Sequence, residues 1–108
     1  MMNLKQSVVL GLLLSATTFP ALATHEVNNI IINRVYIDPT DIVVLTDTAN
    51  GCGSNFFNLS RSNVNFKEMH GYIFLAFKNQ TPINFAVYDD CDGDRRGISH
   101  GSMEAPNQ

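Results

Sequence analysis

The chain has 108 residues, is 44% hydrophobic and carries a formal net charge of −3 at neutral pH. That length suits one small domain. An acidic balance without a clustered Lys/Arg run argues against nucleic acid and anionic membranes as partners. Trp is absent, and seven Phe and three Tyr supply the large side chains for a core.

The first segment, Met1–Ala23, has the order of a secretory signal peptide. Lys5 gives the positive n-region, Val8 to Leu14 the apolar stretch, and Ala21-Leu22-Ala23 the small-x-small site. The apolar run is shorter than the roughly 20 residues that span a bilayer. Cleavage after Ala23 is expected, with residues 24–108 forming a single small domain of about 85 residues, secreted or periplasmic and free of the membrane after cleavage. Export places Cys52 and Cys91 in an oxidising compartment. With an even count and no CxxC, they are expected to form one disulfide. Closing that loop is worth about 4 kcal/mol by chain-entropy arithmetic.

Glu26 to Ile37 is rich in β-branched residues and reads as a strand. Asp38-Pro39-Thr40-Asp41 is a turn, and Ile42–Thr46 the second strand of a hairpin. Asp47 to Asn55 is an Asn/Gly/Ser loop holding Cys52, followed by a short strand at Phe56–Ser60. The periodicity then changes. Asn65 and Glu68 have the spacing of a capping box, and Phe66, Met69, Ile73, Ala76 and Phe77 form one helical stripe. A helix over Phe66–Lys78 is expected, with Gly71 inside it explained by close packing against a sheet. Lys78-Asn79-Gln80 and Pro82 end it. Ile83 to Tyr88 alternates as a half-buried strand, Asp89 to Gly97 is a polar loop, and Ile98 to Met103 is a weak final strand before a frayed tail.

The order β-β-β-α-β-β matches an OB-like, five-stranded, partly closed barrel, mainly β with one helix. An open α+β sheet with one helix is the alternative. The hairpin, Asn50-Gly51-Cys52, Phe56-Phe57 with Leu59, a helix carrying Met69, Tyr72, Leu75 and Ala76, the Ile83–Val87 strand and Asp90-Cys91-Asp92-Gly93 follow one another in a familiar layout. It resembles small secreted bacterial proteins of unknown function, and is similar to the B subunits of AB-type toxins such as subtilase cytotoxin. The resemblance covers nearly all of residues 24–108. It implies an OB-fold, a homo-oligomeric ring and recognition of sialylated glycans, and it carries over no site residue.

Four groups of residues invite chemistry. Asp89, Asp90, Asp92 and Asp94 supply oxygen ligands for Ca²⁺, but Gly93 is misplaced for an EF-hand-type loop and Gly101 stands where the closing Glu belongs. Arg95 and Arg96 follow directly and are expected to neutralise the cluster, so no metal site is expected. Ser99-His100 suggests a hydrolase, yet neighbours in a strand face opposite sides. No G-x-S-x-G or HExxH is present, and His25, His70 and His100 lack metal-ligand spacing. Asn58-Leu59-Ser60 and Asn79-Gln80-Thr81 match the glycosylation sequon. Tyr36, Tyr72, Tyr88 and the Asn50–Asn55 loop form a candidate sugar platform, weighed against ordinary core and turn roles.

The expectation is a secreted, non-enzymatic binding protein with no cofactor, whose partner is a protein or a glycan. Two rivals stand beside it: an exported hydrolase using His100 or the acidic loop, and a periplasmic inhibitory or structural protein.

Overall fold

The stretch read as one strand over Glu26 to Ile37 folds as two, β1 (Thr24–Ile30) and β2 (Ile32–Ile37). The computed structural model describes residues 23–105, so the expected signal peptide lies outside the described residues except for Ala23. The break has a local cause. Asn29 takes a left-handed conformation with φ of 59°, which Asn tolerates better than most residues. Ile31 is then clamped by Asp47: its N–H donates to Asp47 Oδ1 at 2.9 Å, and the Asp47 N–H donates back to the Ile31 carbonyl at 3.1 Å. The backbone groups of the kink are therefore satisfied, as buried or half-buried polar groups must be.

The remaining elements are β3 (Asp41–Thr46), β4 (Phe56–Ser60), α1 (Phe66–Asn79), β5 (Ile83–Asp92) and β6 (Arg95–Ser102). All six strands belong to one mixed sheet with the order β1-β5-β6-β4-β3-β2. Only the β4–β6 pair is parallel. The fold is thus mainly β with one helix, but the expected count of five strands is corrected to six. The kink at Asn29–Ile31 explains this. It splits one long strand into halves that pair at opposite ends of the sheet, β1 with β5 and β2 with β3.

Alternation along the strands builds the core. Ile42 and Val44, Phe57 and Leu59, Phe85 and Val87, and Ile98 point to one side and are buried, together with Ile30 and Ile32 at the kink. The Phe57 and Phe85 rings meet at 5.5 Å in a tilted arrangement. Each such side chain, fully buried, contributes about 1.5–3 kcal/mol.

Helix α1 closes this core with Met69, Ile73 and Ala76, as the stripe predicts. Three finer expectations are corrected. Phe77 is exposed, because the position falls at the edge of the buried arc near the helix end. The capping box is not made: Asn65 makes no side-chain cap and instead donates from Nδ2 to the Ser99 carbonyl at 3.1 Å. Gly71 faces open space, and the close approach lies at Gly101, where an added Cβ would sit 2.6 Å from the Asn84 carbonyl and 3.1 Å from Met69 Cε. At the other end of α1, Gln80 takes φ of 52° and its Nε2 donates to the Ile32 carbonyl at 3.0 Å, tying the helix to β2.

The acidic segment is not a loop. β5 runs through Asp92, and Asp92 pairs with Arg95 across a two-residue turn. Gly93, at φ of 62°, occupies the first central position, the arrangement of a II′ hairpin. The final strand is not weak either: β6 begins at Arg95 and lies between β5 and β4 in the sheet.

Candidate functional site

Around the β5–β6 hairpin, the segment from Asp47 to Asn55 is anchored by one buried amide. Asn50 Nδ2 donates to the carbonyls of Phe56 at 2.6 Å and Asp94 at 2.7 Å, and Oδ1 accepts from the Cys52 N–H at 2.6 Å. Cys52 and Cys91 form the expected disulfide, with Cα atoms 5.7 Å apart. Arg96, opposite Cys91 across the β5–β6 ladder, is buried. Its Nε donates to the Asn50 carbonyl at 2.9 Å, and Nη1 donates to the carbonyls of Tyr88, at 3.1 Å, and Asp89. Arg95 reaches Asp41 instead, Nη1 to Oδ2 at 3.7 Å. Neither arginine ion-pairs with the Asp89–Asp94 cluster, which corrects the expectation that they neutralise it. Alternation is the reason: in β6, Arg96 points inward and Arg95 outward.

These anchors fix Tyr88. Its neighbour Val87 is inside the core, so Tyr88 projects from the outer face of β5. Its ring lies against Gly97, where an added Cβ would come within 3.1 Å of Cδ2. Beside the ring opens a cleft of about 360 Å³, lined by Tyr88, Asn58, Ser60, Asn63, Gly97 and the acidic edge Asp89, Asp90 and Asp92. Asn58 pairs with Gly97 across the parallel ladder, and its Nδ2 donates to Asp41 Oδ2 at 3.3 Å. Its Oδ1 is buried and has no hydrogen-bond partner among the described residues. Such an acceptor costs about 1–3 kcal/mol unless something donates to it.

The other flagged residues scatter. Tyr36 lies on the outer face of β2, with its hydroxyl accepting from Arg34 Nη1 at 3.3 Å and its ring 6.2 Å from Phe56. Tyr72 is exposed on α1. The three tyrosines therefore share no platform, and Asn50 is consumed in holding its loop. His25 Nδ1 contacts Asp89 Oδ1 at 2.6 Å, which pins the start of β1 to β5. His70 sits between Phe66 and Phe74, with ring centroids at 5.6 and 4.5 Å. Ser99 Oγ and His100 Nδ1 do meet, at 3.1 Å, against the strand-alternation expectation. The contact joins adjacent residues, half-buried Ser99 and exposed His100, and among the described residues no carboxylate pairs with His100. Of the two sequons, Asn58 is engaged with Asp41, whereas Asn79 is exposed at the end of α1.

The chain matches no protein-family model and no curated protein sequence. The site must therefore be judged on its own chemistry. Among the described residues, no three His, Cys, Asp or Glu side chains gather in a way that would hold a metal ion. Likewise, no helix among them is long and apolar enough to cross a membrane.

Sequence reasoning named Tyr88 and the acidic edge but missed Asn58 and Asn63 as cleft residues. A signal for Asn58 was present. Phe57 and Leu59 claim the core, so Asn58 between them must face outward. Asn63 carried no such signal, since its place depends on Nδ2 donating to the Ile98 carbonyl at 2.9 Å, a contact across 35 positions of sequence.

Proposed function

We propose that this protein is an exported, non-enzymatic binding protein, and that its ligand is a neutral glycan held in the cleft beside Tyr88. The observation that carries the reading is the Tyr88 ring set beside the polar residues Asn58, Ser60 and Asn63 in one cleft. Pyranose rings present apolar C–H faces to aromatic side chains and hydroxyl groups to polar side chains at the cleft surface. The Cys52–Cys91 disulfide supports residence in an oxidising compartment, secreted or periplasmic. An OB-like barrel is supported by β1 and β2, which belong to one kinked stretch yet stand at opposite ends of the strand order, and by the parallel β4–β6 pair.

The charge of the cleft argues for a neutral sugar over the sialylated one that the toxin-like layout implies. Asp89, Asp90 and Asp92 border it. A ligand carboxylate about 4 Å from one of them would cost about 1 kcal/mol in bulk-water dielectric and about 4 kcal/mol at a surface value of 20. The hydrolase reading has only the exposed Ser99–His100 contact behind it.

An array of matched neutral and sialylated glycans tests this. Neutral glycans should bind, and Tyr88→Ala should remove the signal while the protein remains folded. Binding confined to sialylated glycans, or binding unchanged by Tyr88→Ala, would place the site elsewhere.

A further inference from the structure

The cleft beside Tyr88 has a neighbour. A second depression of about 330 Å³ is lined by Val64, Asn65, Ser99 and His100, and it shares Tyr88 and Asn63 with the first. We infer that the two form one groove straddling the Tyr88 ring, which takes an oligosaccharide of at least two sugar units with one unit in each depression. This rests on the glycan reading given above and specifies the size of the ligand.

The shared wall is rigid. Asn63 donates from its backbone to the Ser60 carbonyl at 3.1 Å and accepts from the Phe66 N–H at 3.0 Å. Its Nδ2 is held by the Ile98 carbonyl at 2.9 Å, and Asn65 Nδ2 by the Ser99 carbonyl at 3.1 Å. With the amide nitrogens engaged on β6, each Oδ1 is left to accept from a ligand. Preorganised acceptors of this kind bind without a further ordering cost.

The two sides differ in chemistry. Along β5 past Tyr88, the wall is acidic through Asp90 and Asp92. On the other side it offers the Ser99 hydroxyl, the His100 imidazole and the fully exposed apolar side chain of Val64. Each depression is open, so one sugar unit would bury far less than the 70–90% of ligand surface typical of a tight site. Joining two units by a glycosidic bond makes the second contact intramolecular and raises affinity without any new protein group.

Val64→Asp isolates the second depression, because a side chain in open solvent can change without disturbing the core. The oxidised protein and this variant should be compared on neutral glycans printed as mono-, di- and trisaccharides of the same terminal sugar, with calorimetry on the strongest binder. Disaccharides should bind at least roughly tenfold tighter than monosaccharides. Val64→Asp should erase that gain, leave monosaccharide binding unchanged and leave the melting curve in place. Equal affinity for one and two units, with Val64→Asp silent and Tyr88→Ala still abolishing binding, would refute the groove and keep the single cleft. Absence of binding at every length would remove both.

Discussion

Arg96 donates from Nε to the backbone carbonyl of Asn50 at 2.9 Å, so the buried cation of β6 and the buried amide of the preceding loop form one network. Among the described residues, every partner of that guanidinium is a main-chain carbonyl, from Asn50, Tyr88 and Asp89. The cation therefore fixes the β5 backbone immediately after Tyr88 and the loop just before Cys52. Gly51 belongs to the same device. At φ of 79°, its absent Cβ leaves room for Arg96 Nη2, which would otherwise lie 2.8 Å away.

Replacing Arg96 with Met keeps much of the volume and strands those carbonyls. Hydrogen bonds to a charged donor are worth about 1.5–3 kcal/mol each, partly recovered by water, so Arg96→Met should lower stability by about 2–4 kcal/mol. Urea denaturation reads this directly, and a midpoint within error of the parent would show that the network holds nothing.

The disulfide joins the same two segments as Arg96. Removing it with the double change Cys52→Ser and Cys91→Ser should cost about 2–4 kcal/mol in oxidising buffer. Because both devices hold the Cys52 loop to β5, their losses should not add. The combined variant should fall short of the sum by more than about 0.5 kcal/mol in a double-mutant cycle. Strict additivity would mean that the bridge and the guanidinium act on separate parts of the fold.

Two glycines make opposite predictions. Gly71 lies in α1 with ordinary helical backbone and no neighbour to obstruct a Cβ, so Gly71→Ala should stabilise by about 0.5–1 kcal/mol. Gly101 is closed in by the Asn84 carbonyl and Met69, so Gly101→Ala should force β6 and α1 apart and destabilise by about 1–3 kcal/mol. Thermal melts of the two single variants should move in opposite directions from the parent. A gain from Gly101→Ala would show that the helix sits farther from the sheet than the Met69 contact implies.

How far the sequence could be read follows from what each residue depends on. The phase of α1 was legible in Met69, Ile73 and Ala76, because 3.6-residue spacing is a local property. The disulfide was legible from compartment and count. The kink was not, since Asn29 and Ile31 look like ordinary strand residues until Asp47, distant in the chain, takes the Ile31 backbone groups. The length of β5 was hidden for a related reason. Asp89 to Asp92 reads as polar loop, and only the neighbouring β6 and the Gly93 turn keep it extended. Tyr88 could be marked as a candidate by its place in an alternating strand, but its cleft depends on Gly97, Asn58 and Asn63, which meet only in three dimensions.

Asp47 gives the fold a defined acid sensitivity. Its carboxylate lies below the ordinary value for an aspartate, chiefly because it accepts from the Ile31 N–H, and further because Thr48 Oγ1 donates to it at 2.8 Å. A carboxyl with a depressed folded pKa binds its proton more readily in the unfolded chain. Its contribution is therefore fully present above the unfolded value, about pH 3.9, and is lost as pH falls through the lower folded value. Asp47→Asn retains an oxygen for the Ile31 N–H but carries no charge. Parent and variant should differ by a constant amount between about pH 5 and 7, and the difference should shrink as pH drops below about 4. Urea midpoints across that range, with a carboxyl-carbon titration of Asp47 by NMR, measure both halves of the argument. A difference that stays constant through the acid range would show that the kink between β1 and β2 is held by shape alone, without help from the charge.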